Sequence, residues 1–406
     1  MNEPDDKMIK RFTLATLLLL LIFGSSLSAQ HAVTAETLYP ITGDPIENGV
    51  VLVADGKIEA VGPASEIDIP DEYEVHEAAA ATPGLIDAHT VVGLAGIYNV
   101  DSDQDQLERS DAIQPELRAI DAYNAREELV KFILDKGVTT VHTGHGPGAL
   151  ASGQTMIAKT PYNTVEEAVM DSATMIAFTL GALVESYFDK PGTRSKGVAM
   201  LRQQFIKARE YADKRRAGDL KSRDLTMEAL ADILEGKLKA MITAHRAHDI
   251  MTALRLQDEF EFEMVLDGAA EAYLLIDQIR EAGVPVFVHP TMTRTSGDTK
   301  NASFETAARL YEAGIPFAFQ SGFESYVPKT RVILYEAAVA VANGLPKQAG
   351  LRALTLQPAQ ILGIDHRVGS LESGKDADIV LYDGDPFEYT TQVTTVIVDG
   401  RVVREE

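Results

Sequence analysis

Pro83-Gly-Leu-Ile-Asp-Ala-His89-Thr-Val91 is the stretch on which the fold turns. Leu85-Ile-Asp-Ala reads as a short buried strand, and a histidine follows where that strand leaves the core. In α/β folds, chemistry gathers at the C-terminal ends of parallel strands. Two positions beyond His89 stands Val91, whose side chain has no donor atom. The strand thus offers one imidazole at its end and nothing beside it.

Working outward, residues 83–364 alternate apolar runs with helical patterns. Strands are expected at Leu85–His89, Val138–Thr143, Thr155–Lys159, Lys239–Ala244, Glu263–Gly268, Pro285–His289 and Pro316–Ser321. Amphipathic stretches such as Arg126–Lys136, Asp249–Phe260 and Phe304–Ala313 lie between them. Gly137, Gly283 and Gly314 each follow a helical pattern and precede a strand, as a helix stop should. This alternation predicts an α/β domain. Seven strands are visible, one short of an eight-stranded barrel, and residues 164–236 read as a helical insertion. The flanks, 30–82 and 365–406, are strand-rich, with Asp55-Gly56 and Asp399-Gly400 placed as hairpin turns. They suggest one composite β-sandwich built from both ends of the chain.

Composition removes several function classes. The chain has 406 residues, 45% of them apolar, and a net charge of −24. Nucleic-acid and anionic-membrane binding both need a basic footprint, so neither is expected. There is no cysteine, which excludes disulfides, thiolate ligands and a cysteine nucleophile. In Met1–Ala29, Lys7, Lys10 and Arg11 precede an apolar run from Phe12 to Phe23 and then small residues. That order reads as an export signal, too short to span a bilayer. The expected location is a bacterial periplasm or the secreted space, with no stable membrane anchor once the signal is cleaved.

Five segments carry a family resemblance: Glu47–Ile58, Pro83–His89, Gly137–Val141, Ala244–Ile250 and Val368–Val380. In this order and spacing the chain resembles the amidohydrolase superfamily, in its imidazolonepropionase-like branch. The resemblance implies a TIM-like (β/α)8 barrel with the composite sandwich, and a site at the C-terminal strand ends. It also implies hydrolysis of C–N bonds in small amides or cyclic ureides, assisted by a divalent metal such as zinc. Water attacks an amide slowly. A bound metal lowers the pKa of its water to about 7 and polarises the carbonyl, and a carboxylate then moves the proton.

Set against the family pattern, this chain lacks most of the ligand set. His89 is the residual metal ligand, but its partner position is Val91. In Ile242-Thr-Ala-His-Arg-Ala-His-Asp the first ligand position is Thr243, and His245 matches the second histidine. A further ligand position falls on Gly268. The position of the catalytic aspartate falls on Gly322, and no acidic residue follows before Glu324.

Polar groups nevertheless cluster where a mouth is expected. His89, His142, His245 and His289 end four predicted strands, and His145 and His248 lie just beyond two of them. Lys159 ends another strand, as a carboxylated ligand or a catalytic amine. The candidate catalytic residues are His245, His289 and Lys159. The candidate substrate-binding residues are His142, His145 and Arg246. Thr143-Gly-His-Gly-Pro-Gly148 is either a tight turn or an anion cradle. Three functions stay open. One is a C–N hydrolase for small amide-like substrates. Another is an inactive homologue that binds a ligand, alone, as a homo-oligomer or paired with an active paralogue. The third is a metal-free acid–base enzyme.

Overall fold

The structure, a computed structural model, describes residues 30–405 apart from 99, 292–295 and 323–332. The expected export signal and Glu324 lie outside the described residues.

The chain enters through β1 (His31–Leu38), β2 (Ile46–Ala54), β3 (Lys57–Pro63) and β4 (Glu74–Pro83). The β2–β3 turn uses Asp55 and Gly56 at φ of 51° and 78°. Two consecutive left-handed residues match the twist of the strands they join, which is why Asp-Gly stands there.

Ten short strands follow: β5 (Leu85–Thr90), β6 (Val138–Thr143), β7 (Ala151–Gln154), β8 (Met156–Lys159), β9 (Val169–Asp171), β10 (Met175–Thr179), β11 (Lys239–Ala244), β12 (Met264–Gly268), β13 (Val286–Val288) and β14 (Phe317–Phe319). The chain closes with β15 (Ile379–Tyr382), β16 (Val393–Val398) and β17 (Arg401–Glu405).

Both ends do build one unit. β15 pairs antiparallel with β4, Ile379 opposite Pro83, which gives a seven-stranded sheet in the order β17-β16-β15-β4-β1-β2-β3. The pairing makes one continuous sheet, and the second sheet of the expected sandwich is not among its strand pairs.

The middle of the chain has the expected mixed α/β content. Its strands pair as two sheets, β14-β13-β12-β11-β10-β7 and β5-β6-β8-β9, not as one continuous ring of eight. β10 to β14 run parallel in chain order, as do β5 and β6. Ile86, Ala88, Ile157, Met175, Ala177, Met241, Val265, Phe287 and Ala318 form one apolar cluster, so strands of both sheets face a common interior. Two junctions tie the sheets together. The Gly322 N–H donates to the His89 carbonyl at 3.2 Å, and Thr155, between β7 and β8, donates its N–H to Met175.

Two expectations change. A strand not expected from the sequence, β10, lies inside the segment read as a helical insertion. Its five residues, Met-Ile-Ala-Phe-Thr, are all buried, and periodicity cannot separate a short all-apolar strand from a buried helical turn. The insertion's helices are Arg194–Ala217 and Leu225–Leu234. The second change concerns β8, which runs antiparallel to β6 with Lys159 opposite Thr140. Its end therefore lies at the opposite side from the ends of β5 and β6.

Candidate active site

Because β5 and β6 run parallel, as do β10 to β14, and β5 meets the end of β14 in parallel at Thr90 and Gly322, their last residues emerge on one side. The polar residues there are Asp87, His89 and Thr90 on β5, His142 on β6 and Thr243 on β11. Asp267 ends β12, and Gln320 and Ser321 follow β14.

The centre is a buried ion pair. His89 Nδ1 lies 2.9 Å from Asp267 Oδ1, with both side chains at most 3% exposed. Thr243 Oγ1 donates to Asp267 Oδ2 at 2.6 Å, and Gln320 Nε2 donates to Asp267 Oδ1 at 2.6 Å. Gln320 also reaches the Phe287 carbonyl at 3.1 Å. Asp87 Oδ1 accepts from the Ser321 N–H at 3.0 Å, and Ser321 Oγ lies 3.0 Å from Thr90 Oγ1. His142 Nδ1 lies 2.7 Å from the Ala88 carbonyl and Nε2 2.6 Å from Thr155 Oγ1. A carbonyl only accepts, so Nδ1 carries the proton and Nε2 accepts from threonine.

Burial and neighbours separate these groups electrostatically. Burial alone would lower the His89 pKa, but the Asp267 charge and hydrogen bond, with Asp87 and the His145 backbone, raise it. Burial would raise Asp267, yet His89, Thr243 and Gln320 hold it down at about 2. Burial pushes Asp87 up to about 7 against the hydrogen bonds from Ser321. His142 falls to about 3 through burial and the neighbouring His89. His245 falls to about 4 through burial and His289, and His145 to about 4 through burial. His89 is thus the histidine whose surroundings favour its proton, while those of His142, His145 and His245 disfavour it.

The two glycines at family ligand positions make room for rings. Gly268 has φ +74°, and a Cβ built there would meet His245 Cε1 at 2.5 Å. Gly322 has φ +64°, and its Cβ would meet His289 Nε2 at 2.9 Å. Each imidazole fills the space that a side chain at the glycine would need. His89 Nε2, His245 Nδ1 and His289 Nδ1 find no hydrogen-bond partner among the described residues.

At the positions that the resemblance assigns to the family's metal ligands, most residues of this chain have no free donor atom. Val91, Gly268 and Gly322 offer no donor, Thr243 spends its hydroxyl on Asp267, and His89 Nδ1 is engaged by a carboxylate. Among the described residues, the group of three or more His and acidic side chains whose ligand atoms converge is His31, Glu74 and His76, outside this site.

The structure brings His89, His142, His245 and His289 to one side and places Lys159 at the other. Lys159 is 2% exposed and pairs with Asp376 at 2.9 Å, Asp378 at 3.0 Å and also Asp399. Burial would lower its pKa, but the three carboxylates raise it. It is a pinned cation at the far end of β8, neither a strand-end amine at the mouth nor a carboxylated ligand. Arg246 faces the buried Glu271, Nε to Oε1 at 3.0 Å, and that carboxylate also accepts from the Ala247 N–H. His145 is buried against Gly153. The N–H groups of Gly144, Gly146 and Gly148 in the glycine-rich loop are spent on Thr90, Gln106 and Thr179, so they are not free to cradle an anion. His248 is exposed in a cleft of about 470 Å³ beyond β10, with Gly181, Arg194 and Asp249.

Asp87, Asp267, Gln320 and Ser321 were not singled out from sequence. For the aspartates a signal existed: a carboxylate inside an otherwise apolar strand, in Leu-Ile-Asp-Ala and Met-Val-Leu-Asp-Gly, needs a buried partner.

Known proteins share this architecture. The profile of the Amidohydrolase family matches residues 80–403. Amidohydrolase tasK of Hapsidospora irregularis is 24% identical over 87% of this chain, which spans only 39% of that protein's length. Imidazolonepropionase of Geobacillus kaustophilus is 26% identical over 88% of this chain and 90% of its own. A crystal structure of an amidohydrolase from Thermotoga maritima superposes with a TM-score of 0.87 at 31% identity, covering 92% of this chain and all of the other. With a profile match over most of the chain and a full-length structural counterpart, the chain belongs to the amidohydrolase family.

Proposed function

We propose that the chain is a hydrolase of C–N bonds in small amides or cyclic ureides, working through a histidine–aspartate centre in place of the family's metal. The observation that carries this reading is the buried His89–Asp267 pair at 2.9 Å. Environments that push titratable groups apart assign acid and base. His89, held charged, has an unspent Nε2 N–H with which to polarise a carbonyl or protonate a leaving nitrogen. His245, held neutral, is the base for water. Asp267 positions His89, and Thr243 and Gln320 position Asp267. The two sheets are read as closing into a TIM-like barrel of eight strand positions, with β7 and β8 sharing one. The order of charged, apolar and small residues in Met1–Ala29 supports export to a periplasm or the secreted space.

The test is turnover of a panel of cyclic amides and ureides by tag-free full-length chain treated with chelator. Expected is turnover insensitive to chelator and lost in His245→Ala and Asp267→Asn. Turnover that chelator abolishes and zinc restores would refute the metal-free centre. A second reading, a ligand-binding homologue without turnover, rests on the occupation of the Gly268 and Gly322 positions by His245 and His289. Saturable ligand binding with no product from any substrate would select it. Self-association or pairing with an active paralogue belongs to that second reading.

A further inference from the structure

We propose that His31, Glu74 and His76 bind one divalent metal ion of the zinc class on the composite sheet, away from the strand-end site. The geometry follows from strand pairing. β1 and β4 run parallel, with His31 opposite Glu74 and Val33 opposite His76. Residues two apart on a strand share a face, so Glu74 and His76 project on the side where His31 meets them. The sequence Glu-x-His thus presents two ligands from one strand and receives the third from its neighbour.

The distances fit a small ion. His31 Nδ1 lies 3.0 Å from His76 Nε2 and 3.5 Å from Glu74 Oε2. All three ligand atoms fall within 4.8 Å of one another. Zinc–nitrogen bonds of about 2.0–2.1 Å in a tetrahedron put neighbouring ligand atoms about 3.3 Å apart. The side chains therefore stand near ligand separation already. Three protein ligands leave a fourth position for water or solvent anion.

The ring chemistry suits the role. In the metal-free chain one ring N–H is shared between His31 Nδ1 and His76 Nε2. When metal binds, both atoms must offer lone pairs, so the donating ring moves its proton to its other nitrogen and none is lost overall. Glu405 Oε1, 3.7 Å from His76 Nδ1, stands on the outer side of that ring. A carboxylate there favours the Nδ1–H tautomer and leaves Nε2 free for the ion. The histidines are nearly buried while Glu74 is 64% exposed, and an open hollow lined by His76 and Glu405 gives an entry path. The ion would tie the start of β1 to β4, next to the last strand.

Tag-free full-length chain, stripped with chelator, is titrated with zinc alone by calorimetry and checked by elemental analysis. One equivalent is expected, with a higher unfolding temperature in zinc. Glu74→Gln alters an exposed side chain and should weaken binding at least tenfold, and His76→Gln should abolish it. His89→Gln should leave the stoichiometry unchanged, which separates this site from any ion at the strand ends. Binding of no zinc would overturn the proposal. So would zinc retained in both Glu74→Gln and His76→Gln, or lost in His89→Gln.

Discussion

The imidazole of His245 occupies the space above Gly268, so close that a Cβ on residue 268 would meet its ring at 2.5 Å. A side chain at 268 and the present position of His245 are mutually exclusive.

Gly268→Ala should therefore destabilise by about 1–3 kcal/mol from overpacking, with roughly 1 kcal/mol more from the left-handed backbone. Combining it with His245→Ala should recover the packing part but not the backbone part. A double-mutant cycle in denaturant measures the difference. Simple addition of the two losses would show that the ring and the glycine do not share that space.

Asp267→Asn removes the charge that keeps His89 protonated. Burial is then opposed only by Asp87 and the His145 backbone, and the His89 pKa should fall, read by NMR titration of its ring protons. Breaking a buried pair from one side costs about 3–5 kcal/mol. Thermal unfolding at pH 7 checks that magnitude.

Asp87 gives a pH signature. Its folded pKa of about 7 lies above its ordinary value of 3.8. Its contribution to stability is complete below about pH 4 and is lost as pH rises through 7, at most about 1.4 kcal/mol per pH unit. His142, His145 and His245 work the other way. Their lowered values make stability complete above about pH 6.5 and lost on acidification toward pH 4 and below. Asp87→Asn keeps an acceptor for the Ser321 N–H and removes the opposing slope. Its stability should rise more steeply with pH between 4 and 7 than that of the unaltered chain, as denaturant midpoints across that range would show.

Lys159→Met leaves Asp376, Asp378 and Asp399 facing one another without their shared cation. It should cost about 3–5 kcal/mol while leaving the turnover of the folded fraction unchanged. A selective loss of kcat with unaltered stability would return Lys159 to the catalytic set.

Sequence patterning exposed the family segments, the two hairpin turns and most of the parallel strands, because each depends on local rules: apolar runs, left-handed Asp-Gly pairs, glycine helix stops. It missed β10 because five buried apolar residues carry no period. It misplaced Lys159 because a strand's direction is fixed by its partner, and β8 pairs antiparallel with a strand upstream. His89, His142, His245 and His289 were legible as strand ends. The groups around them were not: His89 to Asp267, Asp267 to Gln320 and Asp87 to Ser321 are bonds that span 178, 53 and 234 residues of chain.

The seam between β4 and β15 also sets a timetable for folding. Its two strands lie about 300 residues apart along the chain, and contacts that distant close late. Until the last strands emerge, β4 presents an open edge, a template for another chain. A polypeptide halted before β15 should therefore be insoluble even with its strand-end residues intact. The final thirty or so residues act as the lock that makes the rest of the molecule safe to release.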